Sequence, residues 1–215
     1  ARKALGATLP FFWIGDPRHL PADTAFQEIT TPAAAASVAA TTLPVLRHEF
    51  SAPALPGHPD AANAAGVIAV IERAVALMQS GQTGGICTAP IHKKALKDGA
   101  GFAFPGHTEF LAHLAGVDHV VMMLASPMLR VVPVTIHIAI ADVPGALTAD
   151  LLETSIRITA AGLQRDFGIA KPRLAVAGLN PHAGESGTMG REEITLITPV
   201  LNRLRAVGFD LAGPA

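Results

Sequence analysis

Strand-like and helix-like segments alternate along this chain, and the alternation constrains its fold more than any other feature of the sequence. Short apolar runs, such as residues 10–15 and 173–179, have the length and composition of buried strands. Longer segments with apolar residues at helical spacing lie between them; one begins at Asp60, a candidate cap, and stops near Gly81. The pattern predicts a protein of the α/β class.

The same reasoning assigns further elements. Strands are predicted at residues 85–88, 119–125 and 131–140, and helices at residues 107–115, after the capping residue Thr148, and at residues 191–207. The last helix is expected to bury Ile194, Ile197, Val200, Leu201 and Leu204. Residues 30–59 are rich in Ala, Thr and Pro without clear periodicity, so we interpret them as a loop-rich excursion or a domain junction.

Composition narrows the function classes. Sixteen basic and seventeen acidic residues nearly cancel, so nothing in the charge favours nucleic acid or an anionic membrane. No run reaches the ~18 consecutive strongly apolar residues that a membrane span needs. The single cysteine, Cys87, excludes an intrachain disulfide framework, and we expect it to be a small core residue rather than a nucleophile. Since the start of the chain also lacks the features of a signal peptide, we expect a soluble, cytoplasmic protein that binds small molecules.

Polar side chains suited to catalysis gather in the turn GLNPHAGE, residues 178–185, directly after the predicted strand 173–179. His182 lies in this turn, and His137 lies in another strand-like run, residues 129–140. Because open α/β sheets bind ligands at the carboxyl ends of their strands, the two imidazoles are expected to converge on one cleft. Either histidine alone could equally be a packed or capping residue.

Three motifs occur in a fixed order: TAPIHK at residues 88–93, PGHTEFL at residues 105–111, and the GLNPHAGE turn. Shorter segments, MML at 122–124, TIH at 135–137, DVP at 142–144 and GREEI at 190–194, follow the same order. Together they resemble the 4-hydroxythreonine-4-phosphate dehydrogenase family of pyridoxal phosphate biosynthesis, over most of the chain from about residue 81 onward.

The resemblance implies a two-domain α/β fold around a cleft, similar to the isocitrate and isopropylmalate dehydrogenases, and a homodimer with the active site at its interface. Residues 1–80 would be part of a first α/β domain that includes the loop-rich excursion, with an uncertain boundary. Residues 81–215 would be an α/β domain that carries the metal and substrate motifs and forms the dimer. Since the chain opens in what could be the last turn of a helix, residues 1–5, and ends on a turn, we expect a fragment that lacks the C-terminal part of the fold.

The resemblance also implies a reaction. NAD or NADP takes a hydride from C3 of 4-phosphooxy-L-threonine, and the resulting β-keto acid loses carbon dioxide to leave 3-amino-2-oxopropyl phosphate. The family needs a divalent metal, with Zn, Mg and Co as candidates. A cation on the C3 oxygen would stabilise the alkoxide during oxidation and the enolate during decarboxylation.

Residue by residue, His137 and His182 match the family's metal-binding histidines, whose third member lies beyond Ala215 and is contributed across the dimer. His107 and Thr108 match its substrate contacts. A helix N-terminus at this position would favour an anion such as a phosphate or carboxylate, although Thr108 could also be an ordinary N-cap.

Four further residues have open roles, and no residue is assigned as the catalytic acid or base. Asn180 and Glu185 could orient His182 as outer partners of the metal site, but Asn180 could equally make the turn and Glu185 could equally face water. Asp142 could reach the same cleft or simply precede a proline. Lys93 could line the cleft or belong to a solvated basic cluster.

The sequence departs from the family at several points, so other functions stay open. It lacks the Gly-rich opening segment and most of the expected cofactor contacts, and Ser186 and Thr188 replace the usual residues in the histidine motif. One alternative is the same chemistry on 4-phospho-D-threonate or erythronate, or on an aromatic cis-dihydrodiol carboxylate. A second is a noncatalytic module that binds a metal or a phosphate.

Overall fold

The computed structural model describes residues 8–215, so the helical turn expected at residues 1–5 lies outside the described residues. The chain divides into two compact units, the first ending at Val117 and the second running from Asp118 to Ala215. The domain boundary proposed from the sequence, at residues 80 and 81, lies within the first of these units.

A parallel three-stranded sheet forms one part of the first unit. Its strands are β1 (Trp13–Gly15), β2 (Phe26–Ile29) and β3 (Leu43–Arg47), in the order β1-β3-β2. The strand predicted at residues 10–15 is confirmed in its second half. The interpretation of residues 30–59 as loop-rich is wrong for β3, which is the central strand with three consecutive buried residues. The apolar pattern of this strand is hard to recognise in the sequence, because the strand contains a proline and is flanked by Ala- and Thr-rich segments.

Within the described residues, four helices form the other regular part of this unit. They are α1 (Ala35–Val38), α2 (Ala64–Gln79), α3 (Lys93–Ala100) and α4 (His107–Ala115). Short 3-10 turns occur at Pro17–His19, Pro32–Ala34 and Ala61–Asn63. The helical part packs around the buried side chains of Ala64, Ile71, Leu96, Phe102 and Phe110.

Local capping signals set the boundaries of these helices. The Asp60 carboxylate accepts the Ala62 N–H at 2.8 Å and so caps the 3-10 turn that leads into α2. Gly81, at φ 74°, follows the end of α2 in the left-handed region that glycine favours. The helix predicted between Asp60 and Gly81 is therefore confirmed, and α4 confirms the helix predicted at residues 107–115.

The segment Ala61–Gln79 has the length and the mean hydropathy, 1.6, of a helix that could cross a membrane, which the sequence analysis did not anticipate. Glu72 and Arg73 lie in its middle, and the Arg73 guanidinium donates to the Arg47 carbonyl at 2.8 Å. Ile71 and Val75 are buried on its other face. We therefore interpret α2 as an apolar helix packed within a globular unit.

The strand predicted at residues 85–88 is wrong, because these residues form no regular element. A short apolar run after a pair of glycines needs a paired neighbour to become a strand, and none of the described strands pairs with it. Cys87 is consequently exposed rather than a core residue.

A buried carboxylate ties the turn after β1 to the segment after β3. Asp16 is fully buried, accepts the Arg18 Nη2 proton at 2.6 Å and accepts the Phe50 N–H at 3.0 Å. The Arg18 guanidinium also donates to the Phe50 carbonyl at 2.6 Å. The hydrogen bond from Arg18 holds the pKa of Asp16 well below its usual range, although burial acts in the opposite direction.

The second unit contains two small sheets. Strands β4 (Leu124–Ala125) and β5 (Arg130–Val131) pair antiparallel, while β6 (Arg173–Ala175) and β7 (Asp210–Ala212) pair parallel. Of the strand predicted at residues 119–125, only the last two residues form a strand, which is β4. Of the strand predicted at residues 131–140, only Val131 lies in a strand, so the remainder of that prediction is wrong. Pro133 has no N–H to offer a neighbouring strand, and the backbone turns at His137 with φ 59°.

Two helices frame the core of this unit. After the short helix α5 (Val143–Ala146) comes α6 (Ala149–Phe167), whose first turn is capped by Thr148 Oγ1 accepting the Leu151 N–H at 3.1 Å, as predicted. The last helix is α7 (Thr198–Ala206). The core side chains come from the connection between α5 and α6, α6, the segment leading into α7, α7 itself and β7: Leu147, Leu152, Ile156, Ile197, Val200, Leu201, Leu204 and Leu211.

The helix predicted at residues 191–207 contains a π-helical turn, Glu193–Ile197, directly before α7. Pro199 lies in the first turn of α7. A proline inside a helix lacks an N–H and collides with the carbonyl four residues earlier, and a widened turn accommodates it. The π turn adds one residue and so changes which side chains face inward. Glu193 is 3% exposed, whereas Ile194, expected to be buried, is 46% exposed.

Candidate active site

The turn that carries His182 follows β6, as the sequence predicts. The main chain continues the parallel pairing beyond β6, because the Val176 N–H donates to the Ala212 carbonyl at 3.0 Å and the Gly178 N–H donates to the Ala215 carbonyl at 2.9 Å. Inward and outward faces alternate along this run, so the strand is half-buried rather than fully buried as expected. His182 therefore lies just beyond the carboxyl end of a strand, with its side chain exposed.

The backbone after His182 adopts a rare conformation. Five consecutive residues have positive φ: Ala183 46°, Gly184 73°, Glu185 42°, Ser186 58° and Gly187 95°. Positive φ is uncommon for residues other than glycine and persists only where surrounding contacts hold it in place. Such backbone strain is concentrated at functional sites, so this turn is the strongest site candidate in the second unit.

Asn180 is one of the residues that hold this turn. Its Oδ1 accepts the His182 N–H at 2.8 Å and the Gly184 N–H at 3.4 Å, while its Nδ2 donates to the Met189 carbonyl at 2.8 Å. The structure thus places Asn180 on the main chain around His182. Glu185 lies in the same turn with an exposed side chain, and its N–H donates to the His182 carbonyl at 2.9 Å.

Glu193 is the residue of this region that sequence reasoning missed. Its Oε1 accepts the Leu179 N–H at 2.8 Å, and its Oε2 is buried without a hydrogen-bond partner in the part of the chain that the structure describes. A β-carbon on Gly184 would lie 2.5 Å from that second oxygen. A signal was present in the sequence, because Glu193 lies four, seven and eleven residues before Ile197, Val200 and Leu204, on the face that the predicted helix buries.

His137 and Asp142 belong to the same unit and are both exposed. His137 lies in the bend that replaces the predicted strand, and Asp142 ends the 3-10 turn Ile140–Asp142 before α5. Within residues 8–215, no three His, Cys, Asp or Glu side chains gather to hold a metal ion. The exposed imidazoles of His137 and His182 have the donor chemistry for zinc and related ions, but they would leave most of a coordination sphere to other ligands.

The first turn of α4 carries the two expected substrate contacts, His107 and Thr108. The helix begins after Gly106, which is extended and has no side-chain cap, so its first N–H groups are available to an anion. Because Gly106 occupies the N-cap position, the alternative that Thr108 is an ordinary N-cap is wrong. His107 Nε2 is buried and has no hydrogen-bond partner among the residues that the structure describes.

Lys93 reaches the same helix terminus. A β-carbon on Gly106 would lie 3.7 Å from Lys93 Nζ and 3.3 Å from Glu109 Oε2, so an exposed ammonium group is next to this turn. His92, the neighbour of Lys93, has a different role, because its Nδ1 accepts the Ala95 N–H at 3.1 Å and caps α3. The first unit thus presents uncapped N–H groups with both an ammonium and a carboxylate beside them. The N–H groups and the ammonium suit a phosphate or a carboxylate, while the Glu109 carboxylate acts against an anion at this turn.

Comparison with known proteins gives this geometry a context. The family described as Pyridoxal phosphate biosynthetic protein PdxA matches residues 9–215. The 4-hydroxythreonine-4-phosphate dehydrogenase of Paracoccus denitrificans is 62% identical over 218 residues, covering 100% of this chain and 67% of the relative. That of Roseobacter denitrificans is 60% identical over 215 residues, covering 100% of this chain and 66% of the relative. The chain therefore spans about two thirds of the length of these relatives.

Solved structures agree. The crystal structure of 4-hydroxythreonine-4-phosphate dehydrogenase from Klebsiella pneumoniae superposes with a TM-score of 0.86 at 35% identity, covering 94% of this chain and 63% of that one. A terephthalate 1,2-cis-dihydrodiol dehydrogenase from Burkholderia xenovorans superposes less well, with a TM-score of 0.61 at 28% identity, covering 88% of this chain and 58% of that one. These matches confirm the family resemblance and the α/β fold expected from it, which is like that of the isocitrate and isopropylmalate dehydrogenases.

Proposed function

Because the chain belongs to the PdxA family of pyridoxal phosphate biosynthetic proteins, we propose that it acts as a 4-hydroxythreonine-4-phosphate dehydrogenase. The reaction is oxidation of 4-phosphooxy-L-threonine at C3 with NAD or NADP, followed by decarboxylation to 3-amino-2-oxopropyl phosphate. The observation that carries the proposal is the high identity to dehydrogenases of this name along the entire chain. The strained histidine turn and the uncapped helix terminus supply groups that such a reaction needs.

His137 and His182 are the residues that would hold the divalent metal, with Zn, Mg and Co as candidates. When bound, such a cation would act as a Lewis acid on the C3 oxygen of the substrate. The role of this chain is to present two neutral imidazole nitrogens and to keep the His182 turn in place. Asn180 supports that turn through the main chain, while Glu185 and Asp142 lie exposed near the two ligands in the sequence.

The first turn of α4 is the proposed anion subsite. Backbone N–H groups at an uncapped helix N-terminus and the helix dipole stabilise negative charge, and the Thr108 hydroxyl can add a hydrogen bond. His107 supports this assignment because a buried, unpartnered ring nitrogen is costly unless a ligand satisfies it. Lys93 supplies a positive charge at the same turn. The phosphate or the carboxylate of the substrate would bind here.

A second candidate substrate class is favoured by a specific likeness. Superposition on a terephthalate dihydrodiol dehydrogenase, together with Ser186 and Thr188 in the histidine motif, supports the same chemistry on an aromatic cis-dihydrodiol carboxylate or on 4-phospho-D-threonate or erythronate. The higher TM-score and identity of the Klebsiella pneumoniae enzyme favour 4-phosphooxy-L-threonine over these alternatives.

We also propose that the protein is a homodimer with its active site at the interface. Large apolar side chains are exposed in the segment around β4 and β5, with Leu124 60%, Met128 95%, Leu129 64% and Ile140 90% accessible. Soluble monomers seldom leave large apolar areas uncovered, so a second copy is a natural cover. The nearly neutral charge supports a small phosphorylated substrate rather than nucleic acid or a membrane, and the single cysteine supports a cytoplasmic location.

The test is NADH or NADPH formation by the full-length gene product with 4-phosphooxy-L-threonine, with 4-phospho-D-threonate and a cis-dihydrodiol carboxylate as competing substrates. A chelator should abolish turnover, and Zn, Mg or Co should restore it. Replacing His137 or His182 by alanine should lower turnover at least ~100-fold, since even outer partners of metal ligands are worth about 10–100-fold. His119→Ala is the matched control, because His119 is another exposed histidine of the same unit. A folded dimer that turns over none of the substrates would instead indicate a noncatalytic module.

A further inference from the structure

Glu193 is a buried carboxylate in the second unit, only 3% exposed. Burying a charged side chain is unfavourable unless specific contacts compensate for the lost hydration. One contact is clear, because Oε1 accepts the Leu179 N–H at 2.8 Å. The other oxygen has no hydrogen-bond partner among the described residues, whereas a carboxylate with a purely architectural role usually has both oxygens satisfied.

The two oxygens of Glu193 meet the histidine turn on either side of His182. Oε1 holds Leu179, the residue before Asn180, and Asn180 Oδ1 in turn accepts the His182 N–H at 2.8 Å. Oε2 lies against Gly184, where an added β-carbon would be 2.5 Å away. One carboxylate therefore contacts the main chain both before and after the histidine.

The π-helical turn separates Glu193 from its neighbour Ile194. Glu193 lies four, seven and eleven residues before the buried Ile197, Val200 and Leu204, so helical spacing places it on the inner face. In a continuous α-helix Ile194 would lie at the edge of the same face, three and seven residues before Ile197 and Leu201. The turn Glu193–Ile197 takes Ile194 away from that face and leaves the glutamate buried. π turns are rare and frequently occur at functional sites.

We propose that Glu193 is a positioning residue for His182, acting through the main chain of residues 178–185. The carboxylate fixes the Leu179 N–H and occupies the space beside Gly184, so the turn keeps the strained backbone that presents the imidazole. This inference rests on the proposed function of His182 as a metal ligand. The position of the turn itself can be measured without a metal.

The test compares Glu193→Ala and Glu193→Gln with the matched control Glu153→Gln. Glu153 lies in the same unit and pairs with Arg157 and Arg203, but it does not contact the histidine turn. The first measurement is amide hydrogen exchange in the metal-free protein over residues 178–190. Glu193→Ala should accelerate exchange at Leu179 and the turn, Glu193→Gln should largely restore protection because its amide oxygen can still accept the Leu179 N–H, and Glu153→Gln should leave the turn unchanged.

The second measurement is the Co²⁺ affinity of the full-length gene product and of the same variants made in it, followed by the visible absorption of the bound ion. Glu193→Ala should weaken Co²⁺ binding about 10–100-fold, the range typical of residues that support metal ligands, with partial recovery in Glu193→Gln. If Glu193→Ala does not fold, the test rests on Glu193→Gln alone. Its amide exchange rates in the turn and its Co²⁺ affinity must then lie between those of the wild type and those of His182→Ala.

The outcomes separate this inference from the proposed function. Unchanged exchange at Leu179 in Glu193→Ala would overturn the positioning role. A loss of overall stability in Glu193→Ala without faster exchange in the turn would overturn it as well, because the variant would then behave like the control Glu153→Gln. Co²⁺ binding that depends on His182 but not on Glu193 would overturn it too, while the metal site would stand. If the wild type binds no Co²⁺ and Glu193→Ala still loosens the turn, Glu193 positions the turn and the function proposed for His182 is wrong.

Discussion

Glu193 and Gly184 lie so close that a β-carbon on residue 184 would be 2.5 Å from Glu193 Oε2. Gly184 also has φ 73°, in the left-handed region. Two independent features thus require glycine at position 184. One is the left-handed backbone conformation of the residue, and the other is the nearby carboxylate of Glu193. The two requirements can be separated experimentally.

Gly184→Ala should destabilise the protein more than Gly168→Ala. Gly168 also has positive φ, 67°, but nothing lies within 4 Å of its would-be β-carbon. The left-handed conformation alone costs an L-residue about 1–2 kcal/mol, so this is the expected loss for Gly168→Ala. Gly184→Ala should exceed it, because the carboxylate or the turn must move. Urea unfolding checks this through the midpoint and slope, and equal losses in the two variants would contradict the close approach.

Asp16→Asn should lower the free energy of unfolding by about 2 kcal/mol, since the buried oxygen loses charge-assisted hydrogen bonds with Arg18 and Phe50. Asp166→Asn is the matched control, because Asp166 pairs with Arg165 at the surface, where both side chains are more than half exposed. Exposed pairs contribute little, so the control should change stability by no more than about 1 kcal/mol. Chemical denaturation of both variants measures the difference.

His48 should make the protein less stable in mild acid. Burial, followed by the nearby Arg73 charge, lowers the pKa of His48 below its ordinary value of 6.5 in the folded state. The unfolded chain therefore takes up a proton first as the pH falls, so the contribution is complete above about pH 6.5 and declines below it. Asp16 acts in the same direction at lower pH, since its pKa is also lowered.

The measurement is the unfolding midpoint between pH 8 and pH 5 for wild type and His48→Gln. The variant should show a flatter pH dependence, since one titrating group has been removed. His58→Gln is the control, because His58 is exposed. A slope that is unchanged in His48→Gln would contradict the assignment.

Thr108→Ala should weaken the use of a phosphorylated substrate without unfolding α4, since Gly106 rather than Thr108 is the N-cap. A hydrogen bond to a charged group contributes about 1.5–3 kcal/mol, which corresponds to a loss of about 10–100-fold in kcat/KM. Thr24→Ala, in a half-buried loop position of the same unit, is the control. If both variants lose activity equally, the anion subsite lies elsewhere.

Local signals made α2, α4 and α6 predictable, although α3 was missed. Asp60 and Thr148 cap helices through their own side chains, and these bonds depend only on residues two or three positions along the chain. The histidine turn was also predictable from local sequence, because its glycines and its proline are typical of turns. The carboxyl end of β6 and the first turn of α4 were therefore found correctly.

Strands were predicted less well because a strand is defined by its partner. The apolar runs at residues 85–88 and 132–140 resemble strands, yet neither has the neighbour that would complete a ladder. The converse error concerns β3, whose two partners are distant in sequence. Glu193 was missed for another reason. Its spacing from Ile197, Val200 and Leu204 places it on the buried face, but a glutamate is not expected in a core.

The π turn also determines which changes in chain length this region can tolerate. It contains one residue more than the α-helical turn it replaces, so removing a single residue of Glu193–Ile197 would restore regular hydrogen bonding. In a regular α-helix the same deletion would rotate the preceding residues by about 100°, the angular step of one residue in a helix of 3.6 per turn. Here the extra residue lies within one turn, so the residues on either side would keep their orientation. Loss of Ile194, whose side chain is exposed, would therefore leave Glu193 and the buried face of α7 in place.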